Sequence, residues 1–276
     1  MCFHKSIKTK LMKKVCIVLF FIVMKITFVQ AAINADFTIS KDKGCAPLAV
    51  QFSNTSTGSP DSCFWRLGIT GNTSAICNPG AIYPTPGIYF VTLTVFKDTQ
   101  RSSITKQIRV FKNPVANFLA LPRTGCVPTN VQFTDLSVQG DTTINSWFWA
   151  TGDGNTEVTQ NPLHTYTFGG TFGVALIVKD LNGCTNTATK NSYETIYDTS
   201  VLNFTISQNA FCNLPATVNF TAVSNAPASS TYLWFFGDGD SSTTKNPSHT
   251  YTQYGNYTVS VAVTNPNNCT TTVRKD

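Results

Sequence analysis

The sequence predicts an all-β protein made of three antiparallel sandwiches in tandem. Two observations carry that prediction: a threefold internal repeat near 85 residues, and apolar residues that alternate with period two in every repeat. Trp65, Trp149 and Trp234 mark the repeat, within Cys63-Phe-Trp65-Arg-Leu-Gly68, Trp147-Phe-Trp149-Ala-Thr-Gly152 and Tyr232-Leu-Trp234-Phe-Phe-Gly237. Asn78-Pro79, Asn161-Pro162 and Asn246-Pro247 follow at matching offsets, then Tyr83, Tyr166 and Tyr251, then Gly87-Ile-Tyr89, Gly170-Thr-Phe172 and Gly255-Asn-Tyr257.

Each repeat reads as a run of short strands. Phe37, Phe118 and Phe204 mark a first strand, and Val50/Phe52, Val131/Phe133 and Val218/Phe220 a second. The Trp segments give a middle strand. Tyr89-Val91-Leu93-Val95, Phe172-Val174-Leu176-Val178 and Tyr257-Val259-Val261-Val263 each give a long strand with one apolar face. A last strand is expected at Ile104–Val110 and, more weakly, at Ala188–Ile196. The third repeat stops at Asp276, where that strand should be pairing, so it is expected to lack most of it. No stretch has a helical period, and β-branched and aromatic residues dominate the runs.

Composition narrows the function. Only 12% of the 276 residues are charged and 42% are hydrophobic, which suits a packed core and disfavours coiled coils and disordered acidic tails. The net charge of +6 comes from Lys5, Lys8, Lys10, Lys13, Lys14 and Lys25; beyond residue 31, basic and acidic residues balance. Nucleic acid therefore has no electrostatic claim as a partner. Basic residues before the apolar run Val15 to Met24, with Val29-Gln30-Ala31 after it, read as a secretory signal over 1–31. A membrane anchor is the alternative, but the run is short for the roughly 20 residues a span needs. The mature chain is expected to have no transmembrane segment and to be secreted or displayed at the cell surface. The repeats then divide as 32–112, 113–198 and 199–276.

A Trp on a mid-domain strand is the usual plug between the sheets of an immunoglobulin-like sandwich, and Gly-x-Tyr opening a long strand resembles its tyrosine corner. Trp65, Trp149, Trp234, Tyr89, Phe172 and Tyr257 are accordingly assigned to the structural core. The series Trp234-Phe-Phe-Gly-Asp-Gly239, Asn246-Pro-Ser-His-Thr-Tyr251 and Gly255-Asn-Tyr-Thr-Val259 closely resembles the signature of the PKD (polycystic kidney disease) domain. The second repeat matches through Trp149-Ala-Thr-Gly-Asp-Gly154 and Asn161-Pro-Leu-His-Thr-Tyr166. The first is divergent, with Gly68-Ile69-Thr70 for Gly-Asp-Gly and Ala81 for the His. The resemblance implies three tandem immunoglobulin-like PKD sandwiches of a secreted or surface bacterial protein. It further implies a non-catalytic spacer or adhesion array, without cofactor, contacting protein or carbohydrate. The alternative is a targeting region of a secreted protease or glycoside hydrolase.

Candidate chemistry is sparse. Asp153 and Asp238 sit between glycines, as turn residues that bond local backbone, or, with Asp240, as weak calcium ligands too few for the six to eight oxygens calcium takes. His164 and His249 recur with the fold and read as structural, since zinc needs three or four converging ligands. Six Asn-x-Ser/Thr sequons, Asn54 and Asn256 among them, are what an Asn- and Thr-rich chain gives by chance.

Seven cysteines follow the leader. Cys126 and Cys184 bracket the second repeat, and Cys212 and Cys269 the third at equivalent positions, so a disulfide is expected within each repeat, with unpaired thiols the alternative. The first repeat has Cys45 early but Arg101 where the late cysteine would stand. Cys63, in the place of Trp147 and Tyr232, is expected to pair with Cys77, leaving Cys45 free or linked to another chain.

Overall fold

The structure is a computed structural model that describes residues 32–276; the expected signal at 1–31 lies outside the described residues. They form two compact units, one of residues 32–43 with Pro47–Val110, the other of Gly44–Ala46 with Phe111–Asp276. Among the described residues all the elements are strands, and no helix is long and apolar enough to cross a membrane.

In the first unit, Phe37–Ile39, Leu48–Asn54 and Gly80–Tyr83 pair antiparallel around the central Leu48–Asn54. The facing sheet runs Gln100–Phe111, Gly87–Lys97, Ser62–Arg66, Thr73–Ser74. Alternation decides what fills the gap: Phe37, Phe52, Trp65, Val91, Leu93 and Val95 are fully buried. Trp65 meets Phe37 edge-on at 4.9 Å and Phe52 at 5.5 Å, so the indole joins the two sheets.

The second unit holds repeats two and three. In repeat two, Phe118–Leu121, Thr129–Asp135 and Leu163–Tyr166 face a five-stranded sheet ordered Thr124–Cys126, Thr185–Tyr197, Gly170–Asp180, Ile144–Ala150, Thr156–Glu157. All these pairs are antiparallel except the first, where Thr124–Cys126 runs parallel to Thr195–Tyr197. Repeat three pairs Leu202–Ile206, Ala216–Ser224 and Ser248–Tyr251 opposite a sheet ordered Ser241–Ser242, Thr231–Phe235, Val259–Thr264, Thr270–Lys275. Its last strand, expected to be mostly missing, pairs over six residues, from Thr264 with Thr270 to Val259 with Lys275. In repeat two the equivalent strand continues for thirteen residues and also clasps Gly170–Phe172.

Three repeated devices fix the sandwich, and the first two explain motifs seen in the sequence. The Asn of Asn-Pro continues the ladder with its side chain: Asn78, Asn161 and Asn246 accept from the N–H of Asn54, Asp135 and Ala222 at 2.8 to 3.0 Å. The next carbonyl, of Pro79, Pro162 or Pro247, accepts from Phe52, Phe133 or Phe220 at 2.9 Å. Pro lacks an N–H and so suits this place, where only its carbonyl is needed. Tyr83, Tyr166 and Tyr251 are buried and donate to the carbonyls of Leu67, Thr151 and Phe236, just before the glycine turn. Burial pushes the Tyr83 and Tyr251 hydroxyls up to about 12, so they stay protonated donors. The tyrosine corner is separate: Tyr89 and Tyr257 donate to the carbonyls of Thr85 and Gln253, and Phe172 has no hydroxyl to do so.

The third device is a lysine on the last strand. Lys106, Lys190 and Lys275 lie 4.6 to 4.9 Å from the ring centroids of Phe37, Phe118 and Phe204. Each ammonium also donates to that same Phe's carbonyl. The charge sits over the ring face while one of its donors bonds the carbonyl of the same Phe, so the lysine ties the last strand to the first strand of the facing sheet.

Candidate functional site

The turn after the Trp strand requires glycine. Gly152 and Gly237 have φ of 89°, and a Cβ on Gly152 would stand 2.3 Å from the Gly173 carbonyl oxygen. The Asp between the glycines turns inward. Asp153 accepts from the Thr151 hydroxyl at 2.6 Å, from the Asn155 N–H and side-chain amide, and pairs with His164 Nε2 at 2.8 Å. Burial works against its charge, but these hydrogen bonds outweigh it and hold the carboxyl down to about 2.

Repeat three keeps the same pair, His249 Nε2 lying 2.6 Å from Asp238. Burial there is again outweighed, first by the His249 contact and then by the Asp240 N–H, so the Asp238 carboxyl lies below its usual range. Asp240 stands where repeat two has Asn155, and Asp238, Asp240 and His249 bring three possible ligand atoms within 4.8 Å. Three are well short of a calcium shell. The His rings pack edge-on against Tyr166 and Tyr251 at 4.7 Å, tying the turn to the core.

The cysteines correct the sequence expectation. Cys126 is bonded to Cys269 and Cys45 to Cys184, so neither the Cys126–Cys184 nor the Cys212–Cys269 pair exists, and Cys45 is not free. Among the described cysteines the free one is Cys212, which is exposed. Cys63 is joined to Cys77 across a separation of 14.

The reason lies in strand direction. Cys184 ends the turn from which Thr185–Tyr197 departs, whereas Cys126 pairs beside Tyr197, at that strand's far end. Thirteen residues at about 3.3 Å each separate the two ends by on the order of 40 Å, beyond the reach of any disulfide. The early cysteine thus stands where the chain leaves its repeat, facing the next one. Val127 N–H donates to the Tyr197 carbonyl, as Ala46 N–H does to that of Phe111.

The late cysteine is presented by a built turn. Asp180 accepts from the N–H groups of Asn182 and Cys184 at 2.9 and 2.8 Å; Asn265 accepts from those of Asn267 and Cys269 at 3.0 Å. Gly183 and Asn268 take positive φ just before the cysteine, at 82° and 63°. Asn265 also donates to the Asp198 carbonyl at 3.0 Å, seating the turn on the junction. Both late cysteines are buried. The first repeat has no such turn, its Lys97 pairing with Gln100 in a tight hairpin. Sequence reasoning missed these links, although one signal was present: an early cysteine joined to the following repeat's late cysteine gives Cys45 a partner despite Arg101.

Three regions match the PKD domain profile, 30–112, 111–196 and 203–276. Over 108 residues the chain is 37% identical to Collagenase ColQ1 of Bacillus cereus (strain Q1), and it spans 11% of that protein's length. Among solved structures it is similar to the PKD1 domain of the Vibrio cholerae metalloprotease PrtV, at 27% identity over 31% of this chain and 98% of that one, with a TM-score of 0.28. The PKD1 domain of Vibrio anguillarum Epp gives 29% identity, the same coverage and the same TM-score. With three matched regions that together take in most of its length, the chain belongs to the PKD domain family.

Proposed function

We propose that this chain is a non-catalytic extracellular spacer whose PKD repeats are cross-linked in series, holding a protein or carbohydrate contact at the cell surface. The observation that carries the reading is the overlap of the two long disulfide loops, Cys45–Cys184 and Cys126–Cys269. Because Cys126 precedes Cys184, the shortest covalent path from Cys45 to Cys269 crosses one bond, runs back from Cys184 to Cys126, and crosses the other. That path is roughly 60 residues, against roughly 220 along the chain, so pulled ends meet a limit even if every sandwich unfolds. Such a limit suits a tether. Three disulfides also suit an oxidising, extracellular setting.

Stretching single molecules held at both ends tests this. Reduction should lengthen the fully extended chain by about 160 residues, on the order of 500 Å. Equal lengths before and after reduction would remove the basis of the proposal. A second reading, a targeting region of a secreted hydrolase, draws on the collagenase similarity. Retention of the purified chain on collagen, chitin or cellulose would favour it.

A further inference from the structure

We infer that the end of repeat three is an acceptor for a further PKD repeat, which would fill an open groove with its leading strand and bond a turn cysteine to Cys212. The inference rests on the series cross-linking proposed above. Cys45 and Cys126 occupy the same place in their repeats as Cys212 in the third, and each is bonded to a cysteine that ends a built turn. Cys212 has the position without the partner, and it is exposed.

The second observation is independent of the thiol. Beside Cys212 lies a groove of about 560 Å³ whose walls include Phe211, Leu214, Tyr254, Tyr257 and Val259, with Asp276 at its margin. Its two sides are the counterparts of segments that in repeat two clasp one strand. Gly170–Phe172 pairs with Glu194–Ile196 there, and Thr124–Cys126 with Thr195–Tyr197. The counterparts in repeat three, Gly255–Tyr257 and Ala210–Cys212, carry no strand pairing. In repeat two the clasped strand buries Ile196 and packs Tyr193 on Phe118, then leads into the next repeat. The occupant that fits is therefore a strand continuing from Thr270–Lys275 and leading into a sandwich whose long-strand hairpin ends in Asx-x-x-Gly/Asn-Cys. A turn of that kind delivers its buried cysteine to the strand exit, as Asn265 to Cys269 does at Cys126.

By thiol–disulfide exchange the two cysteine thiols give two electrons and two protons to a small-molecule disulfide, whose sulfur–sulfur bond breaks to leave two thiols as the bond between the cysteine sulfurs forms. The extended chain that tests this carries a second copy of residues 192–276 after Asp276, supplying a continuing strand and a repeat with its own Cys269; in the added copy alone, Cys212→Ser removes a second free thiol and Thr270→Ser gives its Cys269 peptide a distinct mass. After oxidation with glutathione disulfide, non-reducing peptide mapping should find Cys212 linked to the added Cys269 and lost to alkylation. Free Cys212 alongside intact Cys45–Cys184, Cys63–Cys77 and Cys126–Cys269 links would overturn the inference and leave the spacer reading standing; absence of the two long links would count against both.

A shorter extension by residues 192–197 alone keeps the groove testable should the long chain misfold. Amide exchange at Gly255–Tyr257 and Ala210–Cys212 should slow at least tenfold, and unchanged exchange would refute the acceptor.

Discussion

Cys126 is bonded to Cys269, 143 residues away with Cα atoms 5.5 Å apart, and not to Cys184 of its own repeat. The strand that follows Cys184 ends beside Cys126, so the bond faces outward to the next sandwich. A covalent junction follows from the parallel pairing of three residues, Thr124–Cys126, with Thr195–Tyr197.

Removing that bond should destabilise the second unit through its unfolded state. For a loop of this length the chain-entropy argument gives up to about 5 kcal/mol, less where the overlapping loop already restrains the chain. Cys126→Ser and Cys269→Ser should each lower the urea midpoint, and the double variant should do no worse than the worse single one. Additive losses would mean that the two cysteines act separately.

The lysine over the first-strand Phe should be worth more than a surface charge. Lys190→Met keeps the apolar stem but loses the interaction with the Phe118 ring and the hydrogen bond to its carbonyl. A loss on the order of 1 kcal/mol is expected. Denaturant unfolding that matches the parent chain would show the contact to be incidental.

Glu194 is fully buried, both its oxygens lack a partner, and burial pushes its carboxyl up to about 7, only partly countered by Arg123. The folded chain then holds a proton through a window, from the ordinary 4.5 to about 7, in which the unfolded chain has lost it. Stability from this group is full below that window, falls as pH rises through it and levels above, by up to roughly 3 kcal/mol. Glu194→Gln should flatten the profile between pH 5 and 8. Ile108 takes the corresponding place in the first repeat, opposite Tyr89, so Glu194→Ile should raise the melting temperature at pH 8. A parent chain with equal melting temperatures at pH 5 and 8 would contradict this account.

Asp153 behaves in the opposite sense. Its carboxyl is held down to about 2, so its contribution is present above 3.8 and is lost as pH falls toward 2. Asp153→Asn should cost on the order of 2 kcal/mol at pH 7 and little near pH 2. The discriminating measurement is acid unfolding followed by tryptophan fluorescence, where identical curves for the two chains would dismiss the effect.

The Asp238–His249 pair should likewise be structural. His249→Ala and Asp238→Ala should each cost about 1 kcal/mol. Calorimetric titration with calcium and with zinc is expected to show no tight binding to the parent chain. Tight binding that either substitution abolishes would make the cluster with Asp240 a metal site.

The sandwiches were legible because their determinants are local. Val91, Leu93 and Val95, and Val174, Leu176 and Val178, alternate within one strand and are fully buried together, since a strand has two faces and only one meets the core. Trp65, Trp149 and Trp234 are fully buried for the same reason. Glycines at 152 and 237 announced a turn only they can make. The lysine over Phe37, Phe118 and Phe204 escaped notice because residues some 70 apart meet only once the sheets close.

By itself, then, the sequence determined the strand pattern, the repeat and the turns, each set by residues within a few positions of one another. Only the tertiary structure decided the partners of the two long disulfides, Cys45–Cys184 and Cys126–Cys269. A repeat near 85 residues places equivalent cysteines so that pairing within a repeat and pairing with the next predict the same spacing pattern. Beyond the indirect sign that Cys45 has no late partner in its own repeat, what separates the two is which end of a thirteen-residue strand each cysteine occupies, and that depends on strand direction, which the order of residues does not state.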